Sequence, residues 1–213
     1  LAAGAGGLTI AAAGDISADA AVSLTGAGTV KISTAGDVTT TGDDVTYNSD
    51  TTLTGNVSIG TGTGAGNISF SGKLDGTSAG NQTLGLTAGT GNVVFTGAVG
   101  SGTRVGAITI NSATDVTAAA VTAASLVQSA GTGTTRLNGA VDTDAAAGVN
   151  IAAGTIVLNS TITTANSGVV TLAAGAGGLT IAAAGDISAD AAVSLTGAGT
   201  VKISTAGDVT TTG

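Results

Sequence analysis

The chain has 213 residues, 37 of them glycine, with three aromatics and no Pro, Cys, Met, Trp, His or Glu. Its five Lys and Arg face thirteen Asp, a net charge of −8, which excludes a nucleic-acid binder, because Lys and Arg supply most of the affinity for phosphates. At 42% hydrophobic and 8% charged the chain is too apolar for a disordered linker, and the frequent Gly, Ser, Thr and Asp leave no apolar run long enough for a transmembrane helix.

Leu1 to Gly42 recur letter for letter as Leu172 to Gly213. Residues 1–171 are therefore one full tandem repeat and 172–213 the start of the next, continuous and without a linker. No signal peptide opens the sequence, as expected of an internal excerpt. Absence of Cys suits a long exported repeat protein, in which stray thiols would cross-link.

Within the period a short grammar recurs: an apolar-x-apolar triplet, a Gly or polar turn, one more apolar residue, another turn, and a second triplet. Alternation with a period of two predicts strands. First triplets are Leu8-Thr9-Ile10, Val30-Lys31-Ile32, Val45-Thr46-Tyr47, Ile68-Ser69-Phe70, Val93-Val94-Phe95, Val116-Thr117-Ala118, Thr135-Arg136-Leu137 and Ile156-Val157-Leu158, and Leu179 restarts the series. The steps between them are 22, 15, 23, 25, 23, 19, 21 and 23 residues, which gives eight coils per repeat, or seven if Val30 and Val45 share one larger coil. Second triplets include Val22-Ser23-Leu24, Leu84-Gly85-Leu86, Ile108-Thr109-Ile110, Val149-Asn150-Ile151 and Val170-Thr171-Leu172, and the single apolar residues include Ile16, Val38, Leu74, Val99, Val141 and Ile162.

Three short strands in each coil of roughly 21–25 residues predict an all-β fold, a parallel β-solenoid (β-helix) of about eight coils per repeat. Coils stacked at the strand spacing of about 4.8 Å would advance the column by roughly 35–40 Å per repeat. The lack of Pro agrees, since every interior strand must donate to its ladder. Tyr47, Phe70 and Phe95 close three successive first triplets and are expected to form one interior column of rings. The dipeptides Gly14-Asp15, Gly36-Asp37, Gly55-Asn56, Gly66-Asn67 and Gly91-Asn92 precede strand residues and are expected at tight corners, with the Asx side chains bonding the local main chain. A β-sandwich repeat is the alternative fold, weakened by the missing aromatic core.

Candidate chemistry is sparse. Calcium needs six to eight oxygen ligands, and Asp15, Asp37, Asp43 and Asp44 are the candidate ligands should their corners stack; the Gly-Gly-x-Gly-x-Asp pattern of calcium-loaded β-rolls is missing, so solvated corner carboxylates are the simpler reading. Without His, Cys or Glu, acid–base work falls to Asp, Lys or Tyr, and a pair such as Asp142 and Asp144 is a catalytic candidate; no enzyme activity and, calcium aside, no cofactor are expected. Gly60 to Gly66 is glycine-rich but lacks the Lys-Ser/Thr ending and following helix of a phosphate cradle. Sequons at Asn56, Asn67, Asn81 and Asn159 arise easily in such a composition. Outward Thr and Ser (Thr9, Ser23, Thr46, Ser58, Ser69, Thr109, Thr117, Thr171) admit an alternative ligand- or ice-binding role, in an array broken by Lys31, Val94, Arg136 and Gly85.

The segments 91–99 (GNVVFTGAV), 107–113 (AITINSA) and 179–187 (LTIAAAGDI) resemble the β-strand repeats of giant bacterial surface proteins, similar to filamentous-haemagglutinin-type adhesins and other very long exoproteins. The resemblance covers essentially the whole chain. It implies a parallel β-solenoid, export to the cell exterior or cell surface, and a part in adhesion, aggregation, biofilm or filament formation, with no catalytic residues to carry over. The expected partner is the chain itself, through end-to-end stacking and fibre bundling.

Overall fold

The computed structural model describes residues 1–29, 31–204 and 206–212. It is an all-β parallel solenoid of about nine turns, with no helix among the described residues. Each turn is a triangle of three short strands, and every strand pairs in parallel with its counterpart one turn away. Chain alternation sends one set of side chains into a continuous interior filled by Val, Ile, Leu and Ala, with the three aromatics buried among them.

The first face carries Val22–Gly26, Val45–Tyr47, Ile68–Phe70, Val93–Phe95, Val116–Ala118 and Thr134–Leu137 in one ladder. It continues through Ile156, Leu179 and Val201. The second face stacks Leu8, Ile32, Thr51, Leu74, Val99, Val121, Val141, Ile162, Ile187 and Val209. The third runs from Ile16 through Val38 and Ile59 to Leu84, Ile108, Leu126, Val149, Val170 and Val193. Some strands turn a corner unbroken: Val149–Leu158 and Val170–Ile181 each serve the third face and then the first.

From Val45 onward the grammar maps directly onto this triangle: first triplet, single apolar residue and second triplet occupy the first, second and third faces. The opening 44 residues are one face out of phase with that reading. Leu8 and Ile32 lie on the second face, Ile16 and Val38 on the third, and Val22 sits beneath Val45 on the first. The anomalous 15-residue step has its cause here, because the triplet that ends at Ile32 and the triplet that opens at Val45 lie on different faces. Val30 itself lies outside the described residues.

It follows that 23 sides separate Leu8 from Leu179, one side short of eight turns. The two identical segments therefore occupy different faces: Leu8, Ile16 and Val22 lie on the second, third and first, whereas Leu179, Ile187 and Val193 lie on the first, second and third. They also differ locally, since Leu8 pairs with Ile32 while Leu179 pairs with Val201. That offset is two residues, so with a side-chain period of two Ile32 and Ile203 keep the same facing.

Threonine enters the interior at corners. Thr34, Thr40, Thr51, Thr61 and Thr164 are buried, and each hydroxyl donates to a carbonyl of its own turn, as in Thr61 Oγ1 to Gly66 O at 2.8 Å and Thr51 Oγ1 to Ser49 O at 3.0 Å. A buried hydroxyl costs little when its turn satisfies it. At one corner the backbones approach so closely that only glycine fits: a Cβ on Gly64 would stand 2.8 Å from Gly42 Cα, and one on Gly89, already at φ +57, would meet Gly62 O at 2.6 Å.

Candidate functional surface

The predicted aromatic column is present. Tyr47 and Phe70 stack with ring centroids 4.8 Å apart and planes at 18°, and Phe70 and Phe95 at 5.3 Å and 10°. The solenoid brings the rings to this spacing because each belongs to the same inward position of successive first-face strands. The Tyr47 hydroxyl is fully buried and makes no hydrogen bond. Burial pushes its phenol above the ordinary range, opposed in part by the nearby Thr34 hydroxyl and reinforced by Asp37. Above Phe95 the column continues as Ala118 and Leu137, and a cavity of about 10 Å³ opens there beside Gln128. Gln128 Oε1 accepts from Thr135 Oγ1 at 2.7 Å, while its Nε2 has no partner.

The Gly-Asx dipeptides are at corners, but their side chains bond the next coil rather than the local main chain. Asp44 Oδ1 accepts from Asn67 N at 2.7 Å, Asn67 Oδ1 from Asn92 N at 2.9 Å, Asn92 Oδ1 from Asp115 N at 3.0 Å, and Asp115 Oδ1 from Thr134 N at 2.6 Å. This is a ladder of side chains parallel to the backbone ladder. The cause is geometric: parallel stacking places the amide of each corner one strand spacing above the Asx before it. A signal was present in the sequence, since each of these four residues stands one position before a first triplet.

A second ladder contains Asp15, whose Oδ1 accepts from Asp37 N at 2.9 Å, and Asp37, whose Oδ1 accepts from Ser58 N at 2.7 Å. The four candidate calcium ligands are thus divided: Asp15 and Asp37 stack at the corner entering the third face, and Asp43 and Asp44 lie at the corner entering the first. Among the described residues no group of three or more carboxylates is placed to hold a metal ion. Asp50, on the corner entering the second face, accepts from Lys73 N at 2.9 Å and pairs with Lys31 Nζ at 3.1 Å. The Lys73 amide first, and the Lys31 ammonium next, hold its carboxyl below the usual value.

Asp142 and Asp144 meet at Arg104. Its Nη1 donates to Ala123 O at 2.7 Å and Asp142 O at 3.0 Å, its Nη2 to Asp142 Oδ2 at 3.0 Å, and its Nε lies 3.1 Å from Asp144 Oδ2. One guanidinium therefore clamps three successive turns, using the planar fork that Lys lacks. Sequence spacing gave no sign of this clamp, because residues 38 apart become neighbours only through the stacking. The carboxylates that a catalytic pair would use are committed to this structural cation.

Gly60–Gly66 forms a corner stacked between Gly42 and Gly89 rather than a phosphate cradle. The outward hydroxyls fall on three faces. On the first, Ser23, Thr46 and Ser69 are followed by Val94, Thr117, Arg136 and Val157; on the third, Ser58 is followed by Gly85, Thr109 and Val127. Neither face presents an unbroken array. No helix of the described residues is long and apolar enough to cross a membrane. The chain matches no family model, no curated protein and no solved structure.

Proposed function

We propose that this chain is the structural repeat of an extracellular bacterial filament or adhesin stalk, a rigid self-stacking β-solenoid that holds things apart at the cell surface. The observation that carries the reading is the covering of one coil by the next. Ile32 and Val38 are fully buried because the coil of Thr51 and Ile59 pairs directly onto them, and the exact recurrence of residues 1–42 at 172–213 lays the same coil-forming sequence onto the same column again. Stability in such a column is close to a sum of coil and interface terms, so length is added without redesign.

The outer surface favours a spacer over a recognition head, because its aromatics are all interior and its longest polar rows are hydrogen-bonded corner ladders. Electron microscopy of negatively stained, purified protein tests the proposal. Uniform rods that join end to end are expected. Compact particles that remain single at all concentrations would contradict it.

A further inference from the structure

Successive repeats do not present the same surface on the same side. The ladder step in which Asp15 Oδ1 accepts from Asp37 N at 2.9 Å is reproduced by Asp186 Oδ1 and Asp208 N, also at 2.9 Å. The first stands at the corner entering the third face and the second at the corner entering the second face. This corner belongs to the most acidic stretch of the period: residues 15–50 hold six aspartates and one lysine, and residues 51–171 four aspartates and three cations.

We infer that tandem copies of the 171-residue period wind this acidic band around the fibre as a threefold screw. Each copy is turned by one side of the triangle and raised by about 37 Å, the rise of 23 sides at three sides per 4.8 Å turn. A surface patch then regains its starting face only after three periods, roughly 110 Å along the axis. The inference rests on the filament reading for its fibre, but its core, the one-face turn, is a property of the single chain.

Two experiments separate these levels. The chain has no cysteine, so cysteine pairs report stacking without background, and parallel neighbours lie within disulfide range. In the 213-residue protein Ser23 is paired with Thr46, and Val157 with Thr180. The pairs Ser23→Cys with Thr46→Cys, and Val157→Cys with Thr180→Cys, are expected to oxidise readily to intramolecular disulfides. The pair Lys31→Cys with Thr46→Cys is expected to stay reduced. Cross-linking of the last pair in place of the first is what eight whole turns would give, since they stack the triplet of Lys31 directly beneath that of Thr46, and it would overturn the inference. In a chain of several tandem periods carrying Ser17→Cys in each, gold labels should recur every ~37 Å along the rod, at three lateral positions that repeat every ~110 Å. Labels confined to one edge would also overturn it, whereas an absence of rods with the expected disulfides intact would refute the filament reading and not the one-face turn.

Discussion

Phe70 is the middle of the three stacked rings, and replacing it by alanine should be the most damaging single truncation in this chain. A buried Phe→Ala change costs about 3–5 kcal/mol through lost transfer energy and the cavity left behind. Phe70 also loses two ring contacts, at 4.8 and 5.3 Å, each contributing about 0.5–1.5 kcal/mol in addition. Phe95 makes only one such contact and already borders the cavity above Ala118. Phe70→Ala should therefore exceed Phe95→Ala by roughly 1 kcal/mol, one stacked pair. Guanidinium unfolding followed by far-UV circular dichroism measures both. Because coupling in a solenoid passes only between neighbouring coils, the Phe70 variant should also unfold with a reduced m value as the column separates at the damaged turn. A Phe95→Ala variant as destabilised as Phe70→Ala, or a Phe70→Ala loss under about 1 kcal/mol, would refute the stacked column as a source of stability.

Tyr47→Phe removes a buried hydroxyl that has no partner, so thermal melts should show unchanged or raised stability, by up to about 1 kcal/mol; a clear loss would mean that the hydroxyl is satisfied. The raised Tyr47 pKa places its contribution below the unfolded value of about 10, with stability lost as pH rises beyond it, and alkaline absorbance titration should show this phenol ionising only on unfolding. Asn92→Ala deletes one rung of the corner ladder and should cost about 1 kcal/mol in urea denaturation, with faster hydrogen exchange at the Asp115 amide. The lowered Asp50 pKa gives the opposite pH sign to Tyr47: its contribution is present above the ordinary carboxylate value of about 3.9 and is lost as pH falls through the lower folded value. Asp50→Asn should flatten that acid limb slightly, by less than about 1 kcal/mol given its exposure, and an unchanged limb would remove Asp50 from the account.

Much of this architecture was legible because β-alternation and the coil length are both written in apolar residues. Val45, Ile68, Val93 and Val116 keep one face, and the rings of Tyr47, Phe70 and Phe95 follow from that column. The face occupied by residues 1–44 was not legible. An apolar-x-apolar side such as Leu8-Thr9-Ile10 fits any side of the triangle, so its face is set by the number of sides that precede it rather than by its own chemistry. Buried Thr34 and Thr51 were hidden for a related reason: alternation marks Thr as outward, while a corner can satisfy its hydroxyl from within. The Arg104 clamp depends on contacts between turns that no local pattern encodes, whereas the Asx ladder left one local mark, an Asp or Asn directly before each of four successive first triplets. Of the four candidate calcium ligands, sequence proximity suggested one group, and the triangle separates them onto two corners.

The central claim is that the strands run across the long axis of the particle and stack along it. Fibre diffraction from an oriented specimen of the protein measures that directly. A strong reflection at about 4.8 Å on the meridian, parallel to the rods, is expected from coils stacked at the strand spacing. The same spacing on the equator, from strands lying along the axis, would contradict the stacked solenoid.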